Sequence, residues 1–203
     1  MIIDPSTLPW REAYKLMIGA IVPRPIALVS TVSPEGVPNL APFSFFTAVS
    51  ADPMVLCFSP MRRGVDGRKK DTLVNIEATG EFVINIVSER FAAQMNATSQ
   101  SFPPEVDEFA ASGLTPAGSA LVRVPRVAES LVSYECTLLQ VVEVGGDRPG
   151  SGAVVLGTVQ RIHVADEIYE AGRINLDLLQ PIGRLSGNDY VRCTDRFTME
   201  RPG

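Results

Sequence analysis

The chain has little histidine and little cysteine: one His and three Cys in 203 residues. Multi-histidine metal sites are therefore excluded, and a Ser-His-Asp or Cys-His catalytic group would have to use His163. The alternating segment 160–164 favours an ordinary strand histidine over a catalytic base. Because Cys57, Cys136 and Cys193 are odd in number and lack a CxxC pair, neither a zinc ribbon nor a disulfide framework is indicated. If the protein is an enzyme, we expect a cofactor to carry its chemistry.

Basic residues are also in the minority, with 18 Lys and Arg against 23 Asp and Glu and a net charge of −5. We therefore expect no nucleic acid partner, and a bound phosphate must be held by a few local groups. No stretch approaches the roughly 20 apolar residues of a membrane helix, and the N-terminus has no signal-peptide pattern. Since 45% of the 203 residues are hydrophobic, the chain is long and apolar enough to form a hydrophobic core. The sequence predicts one cytoplasmic domain over residues 1–203, with no membrane partner.

Proline and glycine divide the chain into short elements. The patterns predict strands over residues 26–33, 37–50, 53–59, 81–87, 130–144 and 153–164, the last two joined as a hairpin by 145–152. They predict helices from Pro9 to Gly19 after a Ser6-Thr7 cap, from an Asp71 or Thr72 cap to Gly80, from a Ser88 cap to about Met95, and a helical turn near 108–109. The tail from 180 to 202 reads as irregular. Short connections favour an antiparallel meander for the first three strands, and the whole pattern indicates an all-β barrel with peripheral helices.

Two glycine-containing segments fail as nucleotide-binding motifs. Residues 150–152 (Gly-Ser-Gly) lie between two strands and lack the helix that a dinucleotide-binding turn must open. In the segment 64–72, Asp71 intrudes where the lysine of a P-loop should meet serine or threonine directly. Neither segment therefore indicates a nucleoside triphosphate or dinucleotide.

The segment ending at Thr72 still has the elements of a monophosphate site. Lys69 and Lys70 lead directly into a predicted helix, whose exposed first N–H groups attract anions. Asp71 argues against this site because its carboxylate repels phosphate, unless it caps the helix while the phosphate lies on the lysine side. On spacing alone, a capped surface helix after a solvated basic loop is an equally good interpretation.

Two proline-containing segments favour a ligand site. Arg24 lies between Pro23 and Pro25, and the residue before a proline is confined to extended conformations. Pro42 stands inside the apolar segment 39–46, where it cannot donate to a β-ladder. The strand is therefore expected to be at an edge or bulged, with backbone groups free to bind a ligand.

With these segments in view, the chain resembles the flavin reductase-like, FMN-binding split-barrel family. The matching elements are residues 23–31, Gly36, 39–44, Asp52-Pro53, Lys70-Asp71-Thr72 with Asn75, 80–85, Glu129-Ser130 with Glu135-Cys136, Gly157, and 183–185 with Tyr190. Their order is specific, although no single one is decisive, and the match extends from about residue 10 to 202. The resemblance implies a Greek-key split β-barrel that forms a homodimer, with one FMN per subunit near the interface.

The resemblance also implies a set of cofactor-binding residues. Asn39, Leu40, Ala41, Pro42 and Ser44 would line the isoalloxazine, largely through backbone groups. Ser59 and Pro60 would follow the ribityl chain, and Lys70, Asp71 and Thr72 would reach the phosphate. Arg24 would contact phosphate or flavin at the same pocket, while Asn96, Arg184 and Tyr190 are weaker candidates, reaching from the second subunit. Phe45 and Phe46 would pack near the flavin, although a plain core role suits them equally well.

The activity implied is hydride transfer from NADH or NADPH to flavin and electron delivery to an acceptor. No catalytic side chain and no metal ligand is predicted, since FMN would supply the chemistry. One alternative is a loose diaphorase that releases reduced flavin to a partner oxygenase. Another is a non-enzymatic FMN-binding electron carrier or flavin reservoir. Pyridoxamine-phosphate oxidases and haem-binding proteins share the barrel, and a single strand histidine gives haem little support.

Overall fold

The computed structural model describes residues 1–203. Its strands are β1 (Ala27–Val32), β2 (Pro38–Phe43), β3 (Phe46–Ala51), β4 (Met54–Phe58), β5 (Glu81–Ile86), β6 (Pro116–Ala117), β7 (Arg126–Val127), β8 (Val132–Val144), β9 (Gly152–Val164), β10 (Tyr169–Glu170), β11 (Arg173–Ile174), β12 (Ile182–Arg184) and β13 (Tyr190–Arg192). Its α-helices are α1 (Trp10–Ala20), α2 (Asp71–Thr79), α3 (Ala92–Ala97), α4 (Glu108–Ser112) and α5 (Leu176–Leu179), with 3-10 turns at Pro5–Thr7, Glu89–Phe91 and Asp166–Ile168. The longest helix has 11 residues, and none has the length and apolarity needed to cross a bilayer.

Seven strands form one antiparallel sheet in the order β2-β1-β5-β8-β9-β4-β3. The two edge strands, β2 and β3, are separated along the chain by only Ser44 and Phe45. Because adjacent Cα atoms are about 3.8 Å apart, the two edges must approach each other at that point. The sheet is therefore curled into a barrel that stays open along the rest of the β2–β3 seam.

Strand β1 is buried on both faces. Ala27 and Val29 enter a core inside the curled sheet with Phe58 and Phe82, while Leu28 enters a second core beneath α3 and α4. Burial on both faces explains why residues 26–29 read as a continuous apolar run rather than an alternating one. The second core holds α3 and α4, whereas α2 packs on the first core through Leu73 and Ile76.

Most predicted strands and helices are present near their predicted positions. Three predictions about how the strands are divided and connected are wrong. The predicted strand 37–50 is two strands, because the chain leaves β2 after Phe43 and enters β3 on the opposite edge. The meander is accordingly wrong: β1 pairs with β2 and β3 with β4, but β4 continues onto β9. The predicted irregular tail contains a hairpin of β12 and β13.

The helix ends differ from prediction mainly at their first residues. Pro9, rather than Ser6-Thr7, is the N-cap residue of α1, and Lys70 is that of α2, neither with a side-chain cap. Ser88 precedes a 3-10 turn and also makes no cap bond. Gly80 ends α2 with φ of 72°, as expected for a glycine after a helix.

Candidate ligand-binding site

A polar cleft lies where the free edge of β2 meets the start of α2 and the start of α4. Its lining residues are Asn39, Ala41, Pro42, Arg63, Lys70, Asp71, Thr72, Thr98, Ser99, Gln100, Ser101, Phe102 and Glu108. Six of the sequence-predicted site residues thus converge here: Asn39, Ala41 and Pro42 from β2, and Lys70, Asp71 and Thr72 from the start of α2. Some 30 residues separate β2 from the start of α2 in sequence, so only the tertiary fold brings them together.

The free edge of β2 has an unusual set of backbone groups. Pro38, Leu40 and Pro42 alternate along the strand and direct their backbones away from β1. Because the two prolines have no N–H, Leu40 supplies the one donor of this edge. That N–H donates to Glu108 Oε2 at 2.5 Å, and the carbonyls of Leu40 and Pro42 point to the same side. The predicted edge position of Pro42 is confirmed. The prolines and the Glu108 carboxyl group leave this edge without a free N–H for pairing with another strand.

A buried hydrogen-bond network orients Asn39. Its Oδ1 accepts from the hydroxyls of Thr72 at 2.8 Å and Thr31 at 3.2 Å, and its Nδ2 donates to Glu108 Oε2 at 2.7 Å. Asn75 Nδ2 in turn donates to Thr31 Oγ1 at 3.0 Å. Thr31, Thr72 and Asn75 are all at most 5% exposed, so the network rigidly joins β1, β2, α2 and α4.

Lys70 is a cation of this cleft that forms no ion pair. Its Nζ makes no hydrogen bond or ion pair, and it lies 5.4 Å from the centre of the Phe43 ring. Burial, with a smaller effect of Arg63, lowers the pKa of Lys70. The neighbouring Lys69 is different, because its Nζ bonds to Glu77 at 2.6 Å and Glu143 at 2.8 Å. Lys70 is therefore the lysine available to an anionic ligand.

The start of α2 adds further donors to the site. Leu73 N–H bonds to the Lys70 carbonyl at 3.0 Å, which leaves the N–H groups of Asp71 and Thr72 without a helical partner. The Asp71 carboxylate accepts from Arg63 Nη2 at 2.7 Å, so it does not cap the helix and its charge is paired. This pairing weakens the electrostatic objection that Asp71 raises against a bound phosphate.

Glu108 is a buried cleft residue that the sequence did not indicate as part of a site. The residue is 6% exposed, and it begins α4, whose N-cap Asp107 accepts from the N–H groups of Phe109 and Ala110. Burial raises the pKa of Glu108 to about 7; the Leu40 hydrogen bond opposes this effect, and Asp71 adds to it. The helical turn was visible in sequence, but its docking onto β2 was not. Arg63 and residues 98–102 were missed for the same reason, since no local pattern reports a long-range contact.

Arg24 and Ser44 lie outside the lining of the cleft, and Arg24 anchors chain segments. Arg24 is 5% exposed. Its guanidinium donates to the carbonyls of Ile18 at 3.0 Å, Ile21 at 2.6 Å and Leu185 at 2.8 Å. Its Nε donates to Ser44 Oγ at 3.1 Å, which leaves one of five N–H donors. Arg24 thereby ties the end of α1 to the β2–β3 connection and to the segment after β12.

The remaining predicted residues also lie away from the cleft lining. The Leu40 side chain is buried in the second core, so only its backbone reaches the site. Ser59 N–H donates to the Phe45 carbonyl at 2.8 Å, and the Pro60 carbonyl accepts from Ala153 at 3.1 Å. These bonds fasten the chain around the β2–β3 seam. Phe46 packs on the inner core, and Phe45 meets Tyr14 edge-on with ring centres 6.4 Å apart.

Asn96 on α3 meets Tyr190 and Arg184 of the tail beside a second cleft. Tyr190 donates through its hydroxyl to Asn96 Oδ1 at 3.1 Å, and the Arg184 guanidinium lies 4.5 Å from the Tyr190 ring centre. Asn96 and Tyr190 border a cavity of about 320 Å³ that includes Ile182 and Val191. The sequence grouped these residues only by resemblance; the β12–β13 hairpin joins Arg184 to Tyr190, and the Tyr190 hydrogen bond joins both to Asn96 on α3.

Solved structures of other proteins closely match this one. Nitrilotriacetate monooxygenase component B from Bacillus cereus has a TM-score of 0.93 and 38% sequence identity, with 98% of each chain covered. The 2-nitrobenzoate 2-nitroreductase NbaA from Pseudomonas fluorescens has a TM-score of 0.88 and 33% identity over all of this chain and 96% of its own. The match in both cases extends over the cleft and the barrel.

A third structure identifies the fold. A split-barrel-domain protein from Shewanella frigidimarina superposes with a TM-score of 0.84 at 21% identity, over 100% of both chains. The predicted fold class, a split β-barrel with peripheral helices, is confirmed. A family model described as "Flavin reductase like domain" matches residues 18–179. The chain therefore belongs to the flavin reductase-like domain family.

Proposed function

We propose that this chain binds FMN and acts as an oxidoreductase that passes electrons from NADH or NADPH through the flavin to an acceptor. The observation that carries the proposal is Lys70, a half-buried residue whose ammonium makes no hydrogen bond or ion pair within the chain, beside the free N–H groups that begin α2. A partly desolvated ammonium without an ion pair favours binding of an anion, and an anionic ligand would compensate its charge. The terminal phosphate of FMN is such an anion.

The residues present fit this cofactor. Lys70, the first-turn N–H groups of α2 and Thr72 would hold the phosphate. Since Thr72 directs its hydroxyl hydrogen to Asn39, its oxygen would reach the phosphate only through a bridging water that donates to both. The outward carbonyls of Leu40 and Pro42 and the backbone of residues 39–44 would meet the polar edge of the ring system. Ser59, Pro60 and Arg24 belong to the proposal through the position of their segments, with Arg24 acting as an anchor for Ser44.

The chemistry supplied by bound FMN is acceptance of a hydride from a nicotinamide and transfer of electrons onward. The chain's own residues bind and orient. The Asn39 network fixes the β2 edge, and the paired Arg63 and Asp71 keep the helix start in place. No side chain is required as a nucleophile. Pre-organised groups at the cleft lower the reorganisation needed when charge develops on a ligand.

We further propose that the site is completed by a second copy of the chain, within a single-domain homodimer. The cleft encloses only about 90 Å³, whereas sites for cofactor-sized ligands hold roughly 300–1,000 Å³. Apolar side chains are exposed along β8, at Leu139, Val142 and Val144. Sedimentation equilibrium tests this: a dimer is expected, and a monomer that retains full flavin affinity would contradict it.

The acceptor is proposed from the two similar structures. The B. cereus protein is component B of a monooxygenase, which favours reduced-flavin delivery to a partner oxygenase. The P. fluorescens protein is a nitroreductase, which favours direct reduction of a bound acceptor. A non-enzymatic electron carrier is the alternative, and it predicts flavin binding without nicotinamide oxidation.

An absorption spectrum of the purified protein, repeated on the supernatant after heat denaturation, is the first test. A two-banded flavin spectrum that is released as FMN is expected. NADH and NADPH oxidation is then measured with and without added FMN. Turnover that needs added FMN indicates exchange with the solution, and turnover without it indicates tightly held flavin. A colourless protein that binds neither FMN nor FAD would overturn the proposal.

A further inference from the structure

Glu108 is the buried carboxyl group of the cleft, and its two oxygens have different surroundings. Oε2 accepts both the Leu40 N–H at 2.5 Å and the Asn39 Nδ2 at 2.7 Å. Oε1 makes no hydrogen bond or ion pair within the chain, while Glu108 lines the cleft. Because Oε2 is occupied by two donors, a proton on this carboxyl group resides on Oε1. The proton-bearing oxygen is therefore the one left for a ligand.

The charges facing Glu108 come from several elements. The start of α2 contributes Lys70 and Asp71, the preceding loop contributes Arg63, and α4 itself begins after Asp107. Arg63 is already paired with Asp71, and Asp107 is engaged as the helix cap. The segment 98–102 brings no charge. Lys70 is thus the one unpaired cation that favours the ionised form of Glu108.

An anionic ligand changes this balance. When its phosphate pairs with Lys70, the cation no longer compensates the Glu108 carboxylate, and the ligand covers the cleft. Both effects favour the neutral carboxyl group. Burial already holds the pKa of Glu108 at about 7, so modest further desolvation is enough to protonate it near neutral pH.

We infer that Glu108 takes up a proton when flavin binds and that its neutral carboxyl group donates a hydrogen bond to the ligand through Oε1. This inference rests on the proposed flavin site and adds a binding residue to it. The proton comes from solvent, and no bond of the flavin changes. Flavin affinity is then linked to pH, because the ionised carboxylate repels the anionic ligand and offers it no donor.

The test compares wild type with Glu108→Gln, which keeps an acceptor for Leu40 and presents a permanent NH₂ donor at the cleft. FMN binding is measured by fluorescence titration between pH 6 and 8. Wild-type affinity is expected to fall about tenfold over this range, since the binding-competent neutral fraction falls about tenfold. Glu108→Gln is expected to show only the shallow pH dependence of FMN itself. The exposed Glu105, three residues upstream, supplies the control Glu105→Gln, which should behave as wild type.

A second measurement keeps the inference falsifiable if Glu108→Gln is poorly folded. Calorimetric titration of wild type in two buffers of different ionisation enthalpy counts protons taken up. At pH 8 about one proton per FMN is expected. Equal flavin affinity at pH 6 and 8, with no proton uptake, would overturn the role of Glu108 while leaving the flavin site intact. No flavin binding at any pH would instead overturn the proposed function.

Discussion

Glu135 on β8 accepts a hydrogen bond from His163 Nε2 on β9, although the strand register places Glu135 opposite Arg161 and His163 opposite Ser133. The same carboxylate accepts three backbone N–H bonds, from Ala120 at 2.6 Å, Leu121 at 2.6 Å and Val122 at 3.0 Å. The only histidine of the chain therefore helps a buried glutamate to fasten a loop onto the sheet. A catalytic role for His163 finds no support in these contacts.

Glu135→Gln is expected to destabilise the fold. Burial alone would raise the pKa of Glu135, but hydrogen bonds from His163 and the three N–H groups outweigh it and lower the pKa to about 2. Relative to the unperturbed value of 4.5, this shift corresponds to about 3 kcal/mol of stability. Because the folded pKa is depressed, this stability is present above pH 4.5 and is lost as pH falls toward 2.

Urea unfolding at pH 7 and at successively lower pH checks this prediction. The difference between wild type and Glu135→Gln should be largest at pH 7 and should shrink below pH 4.5. The control is Glu35→Gln, at an exposed turn residue without a bonded partner, which should change stability by less than about 0.5 kcal/mol. Equal stability of the two variants would show that the Glu135 bonds contribute nothing.

Lys70→Met is expected to weaken FMN binding without weakening the fold. A charge-assisted bond to phosphate contributes about 1.5–3 kcal/mol, or roughly a tenfold to hundredfold change in Kd. Because Lys70 is half-buried and its ammonium forms no ion pair, its removal should leave the free energy of unfolding unchanged or raise it. Fluorescence titration with FMN and with riboflavin measures the effect, and the loss should be larger for FMN.

The matched control is Lys69→Met, because Lys69 is the preceding residue and its charge is neutralised by Glu77 and Glu143. Its FMN affinity should stay near that of wild type. If Lys69→Met weakened FMN binding as much as Lys70→Met, the phosphate would not lie on the Lys70 side.

Arg24→Lys is expected to destabilise the protein by about 2–3 kcal/mol, because lysine cannot satisfy the three buried carbonyls and Ser44 together. Thermal unfolding measures the loss, with Arg68→Lys on the surface loop as control. If Arg24 only anchors the chain, the affinities of folded Arg24→Lys for FMN and for riboflavin should fall by the same factor. A loss confined to FMN would show instead that Arg24 contacts the phosphate.

Gly157→Ala is expected to destabilise the inner core by about 1–3 kcal/mol. A Cβ at this position in β9 would lie 2.2 Å from Phe82 Cζ, and Phe82 is fully buried. Gly19→Ala is the control, since Gly19 lies in α1 and its added Cβ would meet nothing within 4 Å. That variant should be more stable than wild type by about 0.5–1 kcal/mol, as alanine is the better helix residue. Opposite shifts of the two unfolding midpoints are therefore expected.

Local patterns in the sequence were enough to locate most elements and part of the site. Gly80 ends α2, Pro42 marks an edge strand, and Lys70 with Thr72 stands at a helix start, as their chemistry predicts. These features depend on groups within a few residues of one another: a missing N–H, a positive φ, or an exposed first turn. The resemblance to a split-barrel family then grouped them into one pocket.

Contacts between distant segments were decided only by the tertiary structure. The sheet order, the division of residues 37–50 into two edge strands, and the Tyr190–Asn96 contact join segments whose local patterns are independent of each other. The same holds for Glu108, whose sequence context indicates a capped helical turn and nothing more. Glu108 accepts the Leu40 N–H because α4 packs against the proline-containing free edge of β2. Secondary structure is set by backbone chemistry close in sequence, whereas the charge, burial and hydrogen bonding of a site depend on which distant surfaces the core brings together.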